Sequence, residues 1–146
     1  MSYPENIQRV ADYFGKISDE QKRIQTLISY SKRFKEVPEE VAQRPFDTGH
    51  RVPECESDVY IWTDVDAEEN VKVHAAVENP QGLSAKAFAA ILQKALKNAT
   101  VEDVEKLDDE LVYKVFGRQL SMGKNMGLMG MVRMIKAQVR TQAGRA

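Results

Sequence analysis

Between residues 58 and 78 the chain leaves the helical period that governs the rest of it. Val59 and Ile61 alternate with Asp58, Tyr60 and Trp62; Val71, Val73, Ala75 and Val77 alternate with Lys72, His74 and Glu78. Alternation sends successive side chains to opposite faces, the mark of a half-buried strand, and β-branched and aromatic residues suit a pleated surface. Only the polar stretch from Asp64 to Asn70 separates the two runs. They must therefore pair antiparallel, because a parallel pair needs a crossover of about a dozen residues or more. Arg51-Val52 is expected to add a third, shorter strand. So small a sheet needs helices packed on it.

The flanks supply those helices. Ile7, Val10, Ala11 and Phe14 fall at helical spacing from Pro4 to Phe14, and Gly15 stops the run. Ser18 and Gln21 have capping-box spacing, so Ser18 is expected to start a second helix with Ile24, Leu27, Ile28 and Phe34 on its apolar face and Tyr30 alongside. Pro38 and Pro45 bracket an acidic turn, and Phe46 to Gly49 reads as loop. After Pro80-Gln81-Gly82 the helical period returns, with Ser84 as the expected cap and Phe88, Ile91, Leu92, Ala95 and Leu96 as the buried face. Thr100 and Asp103 mark another capped turn, a short helix follows around Leu111 to Phe116, and a last one runs from about Gly127 to Arg140. Helices, strands, helices is the order of an α+β fold: a small antiparallel sheet packed with helices in a sandwich. No repeat or long linker divides the 146 residues, which read as one domain, 1–146, with its core from about 6 to 140.

Composition excludes several functions. A formal net charge of -1 gives no reason to expect nucleic-acid binding. No apolar run approaches the roughly 20 residues that span a bilayer. The N-terminal MSYPENIQRVADYF lacks the basic and apolar regions of a secretory signal, and one unpaired Cys suits a reducing, cytoplasmic setting. Charge is uneven along the chain. VEDVEKLDDE is acidic, whereas the stretch from Gly117 onward carries Arg118, Lys124, Arg133, Lys136, Arg140 and Arg145 and no carboxylate. These are either two faces that attract one another or a basic docking surface for an acidic partner.

One Cys and two His, His50 and His74, show no metal-ligand spacing, so no metal is expected. GKNMGLMG lacks the Lys-Ser/Thr ending of a phosphate loop, and MGLMGMVRM has the spacing of core methionines. The chemistry falls to Cys55, in RVPECESDVYIW. A lone cysteine is often a small buried hydrophobe. If functional, it acts alone or across an interface. Glu54, Glu56 and Asp58 surround it with negative charge, which disfavours a thiolate and argues against an independently activated nucleophile. A loop stiffened by Pro53 and based on the strand VYIW suits an accessible carrier thiol better. A thiol hydrolase would need Cys55 to meet His50.

Cys55, Ser57, Val59 and Tyr60 match a pattern of Cys, one residue, Ser, one residue, Val and an aromatic. Gly127-Leu128, then Met131, Arg133 and Lys136, match a Gly-Leu pair followed by Met and a basic amphipathic helix. In these motifs, and from Asn6 to about Arg140, the chain resembles the SufE family of sulfur acceptors in iron–sulfur cluster assembly. The resemblance implies the α+β sandwich shared with IscU-type scaffolds. It further implies a persulfide relay. A SufS-like, pyridoxal-phosphate cysteine desulfurase would deliver sulfur to Cys55, and a SufBCD-like scaffold complex would take it on. No cofactor is implied on this chain, because the pyridoxal phosphate belongs to the desulfurase. The docking surface implied around Cys55 takes in His50, Arg51, Glu54, Ser57, Lys124 and Gly127. The chain departs from the family at Glu54, where Gly is usual, at Asp58 and Tyr60 for Gln and Trp, and at Lys124 for Arg; Glu78 to Gln81 match only loosely. These departures leave a second reading open, a regulatory binding module that handles no sulfur.

Overall fold

The computed structural model describes residues 3–53, 55, 57–79, 81–118 and 120–144. In chain order these form α1 (Glu5–Gly15), α2 (Glu20–Ser31), a 3₁₀ turn (Thr48–His50), β1 (Val59–Val65), β2 (Val71–Val77), α3 (Leu83–Ala95), α4 (Val101–Glu105), α5 (Glu110–Phe116) and α6 (Met122–Gln142). The fold is α+β, with six helices and a two-stranded antiparallel sheet among the described residues. The register runs from Val59 opposite Val77 to Val65 opposite Val71. Asp64 and Val65, expected in the turn, thus belong to β1. The expected third strand is not one: Arg51 makes a single bridge to Tyr60, and Val52 N–H donates to Val59 O at 2.8 Å. Pro53 follows, and without an N–H it cannot extend the ladder.

One face of the sheet, with Val59, Ile61, Val71, Ala75 and Val77, enters the main core. There β1 lies against α6 and β2 against α3. Helix α3 is buried nearly all round, including Ala85, Ala87, Ala89 and Ala90, as befits a central helix. The other face is covered too. Trp62 and Ala76 pack with Val37 and Phe46, and the Phe46 and Trp62 rings meet edge-on at 5.0 Å. The residues between α2 and the 3₁₀ turn thereby act as a second layer.

The outer edge of β1 would be a row of unpaired backbone groups. Side chains of α6 satisfy it. Gln138 Nε2 donates to Ile61 O at 2.8 Å, and the Thr63 hydroxyl donates to Gln138 Oε1. Gln142 Nε2 donates to Thr63 O, while Gln142 Oε1 accepts from Val65 N–H at 3.0 Å.

Three helix starts differ from expectation. Asp19, not Ser18, caps α2, accepting from Gln21 N–H at 3.0 Å, and α2 ends before Phe34. Gly82, not Ser84, precedes α3 and contributes no side-chain cap. Helix α6 begins at Met122, more than a turn before Gly127, with Ser121 as its cap. The capping box of Thr100 and Asp103 is formed as expected. Basic and acidic runs meet within the chain: Arg118 pairs with Glu110, Arg133 with Asp109, and Lys136 Nζ donates to Leu107 O.

Candidate functional site

Cys55 lies between the Arg51–Tyr60 bridge and β1, where α6 crosses the chain. Glycines make that crossing close. A methyl group at Gly127 would stand 3.1 Å from Cys55 Cα and 3.2 Å from Sγ. One at Gly130 would stand 2.9 Å from Val52 Cγ1 and 3.3 Å from Pro53 O. On the opposite side, a methyl at Gly82 would meet Ser57 and Val77, each at 3.0 Å.

The thiol is consequently 7% exposed, which corrects the expectation of an accessible loop. It opens onto a cavity of about 140 Å³, whose lining includes Ser57, the first turn of α3 at Leu83 to Ala85, and Gly123, Lys124, Gly127 and Leu128 of α6. That space is several times the roughly 30 Å³ share of a water molecule, so a second sulfur atom fits beside Sγ.

Burial pushes the Cys55 thiol above its ordinary value and is the largest influence on it. Backbone N–H groups of Ser57 and Val59 donate to the sulfur and pull the other way, as does the nearby charge of Arg51, while Asp58 raises it. Among the described residues, the negative charge of Asp58 is therefore a minor cause. Asp58 is spent on Arg51, its Oδ1 accepting from Nη2 at 2.6 Å. A neutral thiol beside preformed amide donors is quiet until something draws off its proton, and the amides then favour the thiolate.

Of the residues expected around Cys55, the structure brings Ser57, Lys124 and Gly127 to one cavity. Arg51 stands by through Asp58. Glu54 lies outside the described residues, as do Glu56 and Pro80. His50 is directed elsewhere: Nδ1 donates to Ile61 O at 2.8 Å, and its ring stacks on Trp62. It lines a separate cavity with Gly130, Arg133 and Gln138. Among the described residues no hydrogen bond joins His50 to Cys55, so the pairing a thiol hydrolase needs is not formed. No cluster of three potential metal ligands occurs among the described residues, and no helix is long and apolar enough to cross a membrane. Gly82 and Ser84 escaped the sequence reading as cavity residues. The Pro80-Gln81-Gly82 turn ahead of α3 was the available signal.

The SufE Fe-S metabolism associated domain matches residues 8–139. The chain belongs to the SufE family. Among solved structures, this SufE-family chain is similar to that of a hypothetical protein from Thermus thermophilus, determined in solution. The TM-score is 0.76 at 22% identity, over 98% of this chain and 99% of that one. That likeness extends to the fold. No curated protein matches the sequence significantly.

Proposed function

We propose that this SufE-family chain accepts sulfane sulfur on Cys55 from a pyridoxal-phosphate cysteine desulfurase and hands it to an iron–sulfur cluster scaffold, in a reducing cytoplasm. The observation that carries the reading is the sheltered thiol: Cys55 Sγ sits under Gly127 beside a cavity with room for one more sulfur. In the transfer, Cys55 loses its proton and attacks the outer sulfur of the donor's persulfide. An S–S bond forms at Cys55 as the donor's S–S bond breaks, and the donor leaves as a thiolate that takes up a proton. The exchange is redox-neutral and needs no cofactor on this chain. The amides of Ser57 and Val59 steady the thiolate, and the burial of Sγ in the cavity limits access to the stored sulfur.

The burial that shelters a persulfide also suits a regulator whose thiol never reacts. One experiment separates the readings. The chain is incubated with a desulfurase and cysteine, and its intact mass is taken with and without reductant. A reducible gain of one sulfur, absent in Cys55→Ser, supports the carrier. Stimulation of the desulfurase with no mass gain, or with Cys55→Ser as effective as the native chain, would establish the regulator instead.

A further inference from the structure

Among the described residues, the large hydrophobic side chains left exposed are Tyr13, Ile24, Val41, Leu83, Met122 and Met126. Single exposed apolar residues are ordinary, but contiguous ones mark interaction surfaces. Three of the six lie on the elements that surround the mouth of the Cys55 cavity, α3 and α6, and a fourth lies in an adjoining groove. Leu83 forms its wall, and Met122 and Met126 flank Gly123 and Lys124 on α6. Ile24 lies in a second groove of about 310 Å³, lined also by Leu27, Phe116 and Leu120, with the Glu20 carboxylate at one side. Leu83 and Ser84 line both spaces, so the groove and the cavity share one wall. The groove is at the small end of the roughly 300–1,000 Å³ range of ligand sites and is lined mainly by aliphatic and aromatic carbon. It has the dimensions for one or two side chains.

We infer that this groove seats an apolar side chain of the protein that donates sulfur, next to a carboxylate of the same partner paired with Lys124. The inference rests on the sulfur-acceptor reading. Sulfur exchange requires the two sulfurs to touch, so whatever covers the wall at Leu83 during transfer belongs to the donor. Charge points to the same kind of partner. Arg118, Arg133 and Lys136 are engaged within the chain. Lys124 is exposed on the cavity lining and enters no ion pair among the described residues, which leaves it as the cation available at the mouth. An apolar anchor beside an acidic residue satisfies both, with the desolvated groove supplying affinity and the rim charge supplying orientation.

The test compares the native chain with Ile24→Glu, Leu83→Glu and Lys124→Glu, and with Tyr13→Glu as a control away from the mouth. The first three should raise the concentration needed for half-maximal desulfurase stimulation and sulfur loading by about tenfold or more, the scale of losing a ~1.4 kcal/mol contact. Tyr13→Glu should not. All four should keep a native circular-dichroism spectrum and a urea midpoint close to the native one, which need no docking and report an intact fold. Ile24→Glu and Leu83→Glu loading at the native concentration would overturn the groove while leaving the carrier reading in place. A native chain that gains no sulfur from the desulfurase would sink the carrier reading itself. A native dimer in light scattering that Ile24→Glu dissociates would assign the groove to a second copy of this chain and overturn the inference.

Discussion

Replacing Gly127 with alanine tests whether α6 is what holds Cys55 closed. Two effects oppose one another. In a helix interior, alanine is favoured over glycine by about 1 kcal/mol. The new methyl, however, would stand 3.1 Å from Cys55 Cα, 3.2 Å from Sγ and 3.3 Å from Cβ. Comfortable carbon contacts begin near 3.5 Å, so the loop must retreat by about half an ångström. Two of those atoms are main chain or attached directly to it, and no rotamer change removes them. Overpacking of this kind costs ~1–3 kcal/mol, which leaves a net destabilisation of roughly 0–2 kcal/mol.

The more telling readout is local. If the loop's seat on α6 loses about 1.4 kcal/mol, its open form becomes tenfold more populated, and a thiol that reacts only when open should alkylate tenfold faster. Urea unfolding and iodoacetamide labelling followed by intact mass would measure the two effects. Gly15→Ala is the control, because a methyl there meets nothing within 4 Å and should only stabilise α1. If Gly127→Ala stabilises as Gly15→Ala does and labels at the native rate, the closed seat is wrong.

Two further outcomes follow from the same geometry. The pH profile of Cys55 alkylation should have its midpoint above the usual thiol value of about 8.5 in the folded chain and return to that value in urea. The sign is fixed by burial, which disfavours the charged form: this group's contribution to stability is complete below the unfolded value and is lost as pH rises through the folded one. A folded midpoint below the unfolded one would contradict it. Gln138→Leu should cost about 1–3 kcal/mol in urea unfolding, because it removes the bonds to Ile61 O and from the Thr63 hydroxyl at a half-buried position. Native stability in that variant would mean that Gln142 and His50 alone satisfy the β1 edge.

What could be read from the sequence was whatever a local pattern encodes. Alternation located both strands and their antiparallel pairing, and the 3.6-residue period located the buried face of α3 from Phe88 to Leu96. The Thr100 and Asp103 spacing gave a true capping box. Long-range satisfaction had no such pattern. Gln138 and Gln142 look like solvated helix positions, yet they bond Ile61, Thr63 and Val65 far away in the chain. The glycines of α6 looked like a delayed helix start. Gly127 and Gly130 are instead the reason the helix can lie against Val52 to Cys55. The same blindness made the Cys55 loop look accessible, because the helix that buries it comes some seventy residues later.

The remaining question is what silences the thiol, burial or charge, since each implies a different way for a partner to wake it. Sequence alone favoured charge, from Glu54, Glu56 and Asp58. In the structure Asp58 is half-exposed and bound to Arg51, so its effect on Cys55 is opposed at close range, whereas burial remains the largest influence even against the Ser57 and Val59 amides and the charge of Arg51. Asp58→Asn discriminates between them. Asp58 has a φ of 51°, a conformation asparagine also tolerates, so the substitution removes charge without straining the loop. An exposed pair is worth about 0.2–1 kcal/mol, so alkylation should change no more than a few-fold. Gly127→Ala, which disturbs the seat instead of the charge, should do more. If Asp58→Asn labels faster than Gly127→Ala, electrostatics governs the thiol and a partner need only bring a cation. If the order is the reverse, the partner must pull the loop away from α6 before any sulfur can move.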